Sequence, residues 1–374
     1  MFDALFTTTT EYKKLSHALS GKGACALFGL PASGRAQVYA ALCRQLDKPL
    51  CIVTPGEAEA TRFAADLNTL GIPAAVFPAR DYVLRPIEGT AREYEYRRLA
   101  VLGELVGGRL RAVAVPAEAL TQFTTPKEDF CANTRTLHAG DTLLRDDLLA
   151  ALFGAGYTRR AQVDGPGQFS VRGDIVDIFA PDQKMPVRME FWGDEIDTLH
   201  TFDLTTQRRE DAIDKFYLSP AREVLFGKPA DAAEQLRAFL AKQRGKKKTA
   251  MTDCMAADLD LLDGGAVPVN MDKYLAVRYP HPATVLDYFA DPILVAEEPA
   301  SIREADRATA YRRGEELKSL ILDGVLCAGL DNLYADPSYL WSKTGHYRTI
   351  CAENFARSMP DQPLKDIILS LIHI

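Results

Sequence analysis

The sequence lacks several features that would assign it to a specialised class of protein. No apolar run is long enough to cross a bilayer. The first residues, MFDALFTTTTEYKKL, lack the basic start and long apolar run of a signal peptide. The 7 cysteines are scattered singly, with no C-x-x-C pair and no cysteine–histidine cluster at zinc spacing. We therefore expect a cytoplasmic protein with reduced, buried thiols, no membrane association and no metal site.

The sequence also has no excess of basic over acidic residues. The 44 Lys and Arg residues are outnumbered by 51 Asp and Glu, and the net charge is −7, so no general affinity for polyanions is expected. The one basic run, RGKKK at residues 244–248, indicates a solvated loop. The length of 374 residues favours two or three domains of about 100–200 residues each.

Apolar strands alternate with amphipathic helices over the first part of the chain. The predicted strands are ACALFGL, PLCIVTPG, PAAVFPA and LRAVAVP. The predicted helices between them are GRAQVYAALCRQL, EAEATRFAADLNTLG and AREYEYRRLAVLGELVGG, of which the second has a glycine stop at Gly71. Such an alternation predicts a parallel sheet covered on both faces.

The pattern changes near Thr124. The stretch GDTLLRDDLLAALFGAGYTRR predicts a short helix with Asp141 as its N-cap. The stretches GQFSVRGDIVDIFAP and MPVRMEFWGDEIDTLHTFD predict strands joined by hairpin turns. Beyond about Ile213 the chain becomes helical and loop-rich, until a strand returns in ADPILVAEEPAS. The sequence thus predicts an α/β fold with a small inserted α+β domain.

The stretch GLPASGRA, residues 29–36, resembles a phosphate-binding loop without its chemical groups. Gly29 and Gly34 keep the spacing of the G-x-x-x-x-G-K-[ST] template. Arg35 stands in place of the lysine that reaches the outer phosphates, and Ala36 in place of the hydroxyl residue that holds magnesium.

A second stretch matches the other half of such a site. An ATPase of this kind needs acidic residues after a later apolar strand, and PILVAEEPA supplies Glu297 and Glu298 there. Helicases continue this motif as D-E-x-H, whereas Pro299 and Ala300 follow here. We interpret both halves as a degenerate nucleotide site that binds no cofactor and has no catalytic residue.

These motifs and others resemble the N-terminal, UvrB-like part of the bacterial transcription-repair coupling factors. The resemblance covers about residue 21 to about residue 316. UvrB itself would need intact nucleotide motifs and a long aromatic hairpin after the third strand, where this chain has the short stretch FPARDYVLRPIEGTAREYEYRR. The most specific stretches are GYTRRAQVDGPGQFSVRGDIVDIFAP, VRMEFWGDEIDTLHTFDLTTQR, LSPAREVLF and PATVLDYFADPILVAEEPAS.

The resemblance implies a domain plan. We expect a P-loop-helicase-like α/β domain with a degenerate site at residues 1–124, and an inserted α+β adaptor that binds the damage-sensing protein UvrA at residues 125–213. A UvrB-like return domain packing on the first is expected at residues 214–345. Residues 346–374 are expected to be the truncated start of a linker or following domain.

The resemblance also implies a function in nucleotide-excision repair. The chain would recruit UvrA to RNA polymerase stalled at DNA lesions, without ATP hydrolysis of its own. In the full-length family, ATP and magnesium drive a DNA translocase through C-terminal domains absent here. RNA polymerase and double-stranded DNA bind through missing domains, and a C-terminal domain covers the UvrA-binding face.

Four residues are predicted to bind UvrA. Arg172, Arg188 and Trp192 match the family's contact positions, and Phe191 lies beside them. The alternation in VRMEFW independently places Arg188 and Trp192 on a solvent face and Phe191 on the core face. In FSVR, Ser170 and Arg172 are predicted to face outward. Arginines beside an exposed aromatic residue are typical of a binding hot spot.

Each of these residues has a structural alternative. Arg172 could pair with Asp174 or Asp177, Arg188 with Glu190 or a cross-strand acid, and Trp192 could pack under a loop. Three further residues are weaker candidates for an extension of the patch: Tyr157, Arg159 and Arg160.

Two other functions are consistent with parts of the sequence. The first is a divergent UvrB-like or helicase-like ATPase that acts on damaged DNA with Arg35 and Glu297. The second is a plain nucleic-acid-binding module, which would show tight, salt-dependent DNA affinity and which the acidic balance disfavours.

Overall fold

The computed structural model describes residues 7–87 and 92–354, together with the backbone of residues 365–368. The strands are β1 (Gly23–Phe28), β2 (Leu50–Thr54), β3 (Ala74–Val76), β4 (Ala112–Pro116), β5 (Arg135–His138), β6 (Thr158–Arg159), β7 (Gln168–Arg172), β8 (Ile175–Phe179), β9 (Val187–Trp192), β10 (Glu195–Phe202), β11 (Arg209–Ala212), β12 (Lys215–Leu218), β13 (Ile293–Glu297), β14 (Arg348–Glu353) and β15 (Lys365–Ile368).

Helices connect and cover these strands. They are α1 (Thr10–Ala18), α2 (Ala32–Leu46), α3 (Glu57–Thr69), α4 (Glu93–Val106), α5 (Ala117–Leu120), α6 (Lys127–Ala132), α7 (Arg145–Gly154), α8 (Pro229–Ala241), α9 (Gly245–Asp263), α10 (Leu275–Arg278), α11 (Pro299–Leu322) and α12 (Tyr339–Lys343), with 3₁₀ turns at Met271–Tyr274 and Val285–Tyr288. In the described part of the chain, no helix is both long and apolar enough to span a membrane.

A seven-stranded parallel sheet organises the first part of the chain, as the alternating pattern predicted. Its order is β15-β1-β14-β13-β2-β4-β3. One face packs on α2 and α3 through an apolar cluster that includes Tyr39 and Phe63. The opposite face packs on α4 and α6 through a second cluster that includes Leu102 and Phe130. The sheet is therefore buried on both faces, which explains why its strands read as continuous apolar runs.

The position of β14 corrects the predicted domain plan. Residues 346–374 were expected to begin a linker or a following domain. Instead β14 lies inside the sheet, where Ile350 is fully buried between Cys25 of β1 and Val295 of β13. The sequence of this strand, RTICAE, has only three apolar residues and follows a loop-rich stretch. It was not recognised because its burial comes from its two neighbouring strands.

The inserted domain is built on a six-stranded sheet. Its order is β11-β10-β9-β8-β7-β6, and all neighbours are antiparallel except β6 and β7. The two predicted hairpins are present, and Gly173 and Gly193 take left-handed φ values of 59° and 63° in their turns. One face packs on α7 around Phe169 and Met189.

The inserted domain extends beyond the predicted boundary at residue 213. Strand β12 pairs with β5, which places Phe216 opposite Leu137. The apolar cluster of this domain continues through Leu218 to Ala221. Strand β12 was missed because its short sequence, KFYL, has its partner nearly eighty residues earlier in the chain.

The N-cap predicted at Asp141 is wrong. Helix α7 begins later, at Arg145, after Leu144 as its cap. The carboxylate of Asp141 instead accepts a hydrogen bond from the backbone N–H of His138 at 2.7 Å. The intervening residue Thr142 bridges to Glu195 of β10, so the chain stays extended between Asp141 and the helix.

Candidate functional site

The loop that resembles a phosphate-binding loop is too short to surround a phosphate. Strand β1 ends at Phe28 and α2 begins at Ala32. Gly34 and Arg35 therefore lie in the first turn of the helix, and the backbone N–H of Arg35 donates to the carbonyl of Pro31 at 3.0 Å. This amide is not free to bind a phosphate oxygen, and Pro31 has no N–H to offer.

The side chain of Arg35 fills the space between the two predicted halves of the site. Its guanidinium lies 2.8 Å from a carboxylate oxygen of Glu297 and 3.2 Å from one of Glu298. It also donates to the carbonyl of Leu30 at 3.1 Å and to the side-chain oxygen of Asn354 at 3.0 Å. The structure thus brings the two altered motifs together, and their charged groups bind each other.

Glu297 is buried within this ion pair. Its side chain is 2% exposed, and its second carboxylate oxygen accepts a hydrogen bond from the hydroxyl of Tyr39 at 2.5 Å. Burial raises the pKa of Glu297 to about 7, although Arg35 and the Tyr39 hydroxyl act in the opposite direction. The methyl of Ala36 lies in the apolar core and offers no oxygen to a metal.

The second candidate site is the outer face of the six-stranded sheet, which faces away from α7. Cross-strand pairing aligns Ser170, Asp177, Arg188 and His200 in one row across four strands. Arg188 forms a two-pronged ion pair with Asp177, at 2.7 and 2.9 Å. This is the cross-strand alternative that the sequence left open.

The surroundings of Arg188 restrict its access to solvent. Its side chain is 13% exposed. The guanidinium also donates to the carbonyl of Gln207 at 3.1 Å and lies 4.7 Å from the ring centre of Phe202. Arg188 therefore joins two strands and the loop before β11, rather than projecting freely.

The prediction that Ser170 faces solvent is wrong. Ser170 is 1% exposed, because part of the outer face is covered by a small apolar cluster of Val163, Phe179 and Phe202. The alternation rule gave the correct face but not its cover, which comes from the ends of β8 and β10 and from Val163 in a loop. Phe191 packs in the core on the opposite face and is 6% exposed, as its place in the alternation predicted, so it does not reach the surface that Trp192 occupies.

Trp192 and Arg172 remain open on the outer face. Trp192 is 82% exposed at the end of β9, so it is not packed under a loop. Arg172 is exposed and donates to the carbonyl of Ala161 at 3.2 Å. Its proposed acidic partners are engaged elsewhere, Asp177 with Arg188 and Asp174 with Arg145 at 3.5 Å.

The three weaker candidates differ in their exposure to solvent. Tyr157 is 3% exposed, and its hydroxyl donates to the carbonyl of Ser219 at 2.8 Å. It therefore belongs to the core, and its assignment to the patch is wrong. Arg159 and Arg160 are exposed near β7, which leaves them available to a partner.

Comparisons with known proteins show what this chain is similar to. Residues 136–224 match the family described as the UvrB interaction domain. The chain is 27% identical over 308 residues to the transcription-repair-coupling factor of Bacillus subtilis, across 80% of this chain and 26% of that protein. The corresponding protein of Myxococcus xanthus is 31% identical over 288 residues, across 72% of this chain and 24% of its own length.

The coupling factor of Mycobacterium bovis is 34% identical over 290 residues, across 74% of this chain and 23% of that protein. The resemblance to the transcription-repair-coupling factors is confirmed. The chain spans about a quarter of the length of these coupling-factor relatives. The matched interaction domain begins and ends close to the β5–β12 pair, so it corresponds to the inserted domain.

In this relative of the coupling factors, a buried charged network holds the inserted domain against the parallel-sheet domain. Glu223, at the end of the inserted domain, accepts hydrogen bonds from Arg98 of α4 at 2.6 and 3.1 Å and lies 3.2 Å from Arg80. Arg80 in turn binds Asp272 at 2.8 and 3.0 Å. The backbone N–H of Glu223 donates to Glu95 at 2.9 Å.

Sequence reasoning missed this network, although α4 carries a signal for it. Glu95 and Arg98 occupy the same helical face as Leu99 and Leu102, and a charge on an apolar stripe indicates a buried partner. The partners lie more than a hundred residues away in the sequence, so their identity could not be inferred.

Proposed function

We propose that this chain recruits UvrA through the outer face of its six-stranded sheet, with Trp192 and Arg172 at the centre of the contact. The observation that carries the proposal is the exposure of Trp192, at 82%, within the segment that matches the interaction domain. The name of the relatives supports a role in coupling repair to transcription. The recruited UvrA would then act at RNA polymerase stalled at a DNA lesion.

The geometry of the hairpin suits a binding hot spot. Trp192 is opposite Glu195 in the β9–β10 hairpin, whose backbone is fixed by the ladder. A tryptophan buried at an interface contributes a large apolar area, and little conformational entropy is lost when its backbone is already rigid. Arg172 is on the same face, in the row that contains Ile175 and Glu190, so a single partner surface can contact both side chains.

Arg188 is proposed to have a different part in the contact. Because Asp177 holds the guanidinium of Arg188 in a fixed orientation, the Arg188 side chain would lose little conformational entropy on contact with UvrA. Loss of Arg188 would also disturb the sheet. Its two contributions can be separated by comparison with the removal of Asp177.

We further propose that the chain binds UvrA without nucleotide and hydrolyses no ATP. The Arg35–Glu297 ion pair supports this, because it occupies the position where the phosphate-binding lysine and the acidic residue of a working site would face ATP. The helicase-like ancestry of the parallel sheet belongs to the same proposal. In the whole protein, RNA polymerase and double-stranded DNA would engage other domains, and a C-terminal domain would cover the UvrA-binding face.

Binding of purified UvrA to this chain tests the proposal directly. We expect Trp192→Ala and Arg172→Ala each to weaken binding at least about 30-fold, the effect of a hot-spot loss of about 2 kcal/mol. The free energy of unfolding should not change, because both side chains are exposed. Tyr311→Ala is the matched control, since Tyr311 is also an exposed aromatic residue, at 74%, but lies on α11. Equal binding by all variants would overturn the assignment.

The comparison of Arg188→Ala with Asp177→Ala resolves the role of Arg188. If Arg188 contacts UvrA, its removal weakens binding more than the removal of Asp177 does, at similar cost to stability. If both variants lose binding and stability in parallel, Arg188 acts only through the fold. Titration with ATP and magnesium by calorimetry, and with duplex DNA at several salt concentrations, tests the ATPase and nucleic-acid alternatives.

A further inference from the structure

Two cysteines from distant parts of the sequence meet in the helical unit beyond the inserted domain. Cys254 lies in the middle of α9, and Cys327 lies in the turn that follows α11. Both side chains belong to one apolar cluster, in which Cys254 packs against buried residues that include Cys327. The S–H of Cys254 donates a hydrogen bond to the carbonyl oxygen of Val325, in the same turn, at 3.2 Å. The two thiols are thus adjacent across a contact between α9 and the chain after α11.

A buried cation lies beside this pair. The ammonium of Lys273, 5% exposed, donates to the backbone carbonyl of Cys254 at 3.1 Å and forms an ion pair with Asp258 at 2.6 Å. The two thiols differ in access, because Cys254 is half-buried whereas Cys327 is 8% exposed. By whole-residue exposure, Cys254 is therefore the more accessible of the two.

The electrostatic surroundings favour the thiolate of Cys254. The hydrogen bond from Cys327 and the charge of Lys273 lower the pKa of Cys254 to about 7, against the opposing effects of burial and Asp258. The same hydrogen bond, together with burial and the nearby Asp331, raises the pKa of Cys327. One thiol is therefore suited to attack as a nucleophile, and its neighbour retains its proton.

We propose that Cys254 and Cys327 form a redox modification site, at which a small hydroperoxide converts the two thiols into a disulfide. Cys254 is the attacking thiol and Cys327 the resolving thiol. The proposal concerns a part of the molecule that is separate from the UvrA-binding face and does not depend on it.

The chemistry balances with a hydroperoxide as the sole oxidant. The thiolate of Cys254 attacks the nearer peroxide oxygen, an S–O bond forms, the O–O bond breaks, and the leaving oxygen takes up a proton. The sulfur of Cys327 then attacks the resulting sulfenic acid. An S–S bond forms, the S–O bond breaks, and the hydroxide that leaves takes the proton of Cys327 as water. With hydrogen peroxide, two thiols become one disulfide and two waters are released.

The other cysteines provide internal comparisons. Cys25, Cys43, Cys51 and Cys351 are buried around the parallel sheet, and burial raises the pKa of each thiol. Cys131 is exposed on α6 and is accessible to the same reagents. A selective reaction at Cys254 would therefore reflect its surroundings rather than exposure alone.

Treatment of the whole purified chain with limiting hydrogen peroxide at pH 7, followed by alkylation and peptide mass spectrometry, tests the proposal. We expect a Cys254–Cys327 disulfide that dithiothreitol reverses, formed at least about threefold faster than Cys131 is oxidised. A thiol with a lowered pKa has a larger thiolate fraction at pH 7 and a lower intrinsic nucleophilicity, and the first effect is the larger. Cys131→Ser should leave the disulfide yield unchanged.

Two variants make the test specific. In Cys327→Ser the reaction should stop at the sulfenic acid, so that dimedone labels Cys254 and no disulfide forms. In Lys273→Met the oxidation of Cys254 should slow several-fold at pH 7 and recover at pH 9, where the thiolate forms without the cation. The proposal is overturned if Cys254 and Cys327 stay reduced while Cys131 reacts, or if Cys254 pairs with another cysteine in the folded chain.

Discussion

Arg35 makes a structural contact at a position where the sequence resembles a phosphate-binding loop. A lysine is a compact charge on a flexible stem, whereas the planar guanidinium of arginine matches carboxylate geometry with several donors. Arg35 uses these donors on Glu297, Glu298 and the carbonyl of Leu30. The position that would bind a phosphate in an active enzyme therefore stabilises the end of the parallel sheet.

The Arg35–Glu297 pair should make stability depend on pH near neutrality. The folded-state pKa of Glu297 is about 7, above its ordinary value of 4.5. A raised carboxyl pKa gives stability that is complete below about pH 4.5 and is lost as pH rises through 7, which amounts to roughly 2–3 kcal/mol between pH 5 and 8. Urea unfolding at both pH values should show this slope in the native chain and a flatter one in Glu297→Gln.

Arg35→Ala provides the complementary experiment. Removing one partner of a buried pair costs about 3 kcal/mol when the other must stay charged. At pH 5 Glu297 is protonated and needs no counter-ion, so the loss should be smaller than at pH 8. An equal loss at both pH values would mean that Glu297 is not the group that titrates. Arg44→Ala, at the exposed C-terminal end of the same helix, controls for general changes in α2.

Among the elements, the local sequence pattern was sufficient to predict a strand when the strand's own residues indicate that it is buried. Strands β1, β2, β4 and β13 are mostly apolar and were predicted, as were both hairpins of the inserted domain. Strands β12 and β14 were missed because each depends on partners distant in the chain. The alternation in β9 predicted which side chains face outward, but not that Phe202 and the loop before β11 cover Arg188 while Trp192 stays open.

The interior position of β14 leads to a prediction about truncation. A chain ending at residue 345 would leave β1 and β13 without their shared neighbour and would remove the buried side chains of Ile350 and Ala352. The loss should exceed roughly 5 kcal/mol, which is comparable to the whole stability of a typical domain. We expect this chain to lose cooperative thermal unfolding by calorimetry.

A chain ending at residue 354 is the matched control for that truncation. It retains β14 and removes β15, whose only neighbour in the described sheet is β1 at the edge. It should unfold cooperatively at a somewhat lower temperature. Cooperative unfolding of the 345-residue chain would show that β14 is dispensable and would restore the original domain boundary.

For the molecule as a whole, the buried network around Glu223 determines how the units are held together. Arg98 and Glu95 come from the parallel-sheet domain, Glu223 from the end of the inserted domain, and Asp272 from the helical unit beyond it. Buried charges of this kind are strongly destabilising when one partner is lost. The network therefore fixes the inserted domain, with its exposed Trp192, on a rigid support.

Glu95 makes this support sensitive to acid. Burial alone would raise its pKa, but Arg80, Arg222 and Arg92 lower the pKa to about 2 from an ordinary value of 4.5. A lowered carboxyl pKa gives stability that is present above about pH 4.5 and is lost as pH falls towards 2, roughly 3 kcal/mol in all. Urea unfolding at pH 5 and pH 3 should show about 2 kcal/mol of this loss in the native chain and a smaller loss in Glu95→Gln, which is also less stable at pH 7. Glu93→Gln, an exposed change in the same helical turn, should retain the native loss.

If Glu95→Gln and the native chain lose the same stability between pH 5 and 3, the network does not depend on the ionised Glu95 carboxylate, and the acid sensitivity of the molecule arises elsewhere.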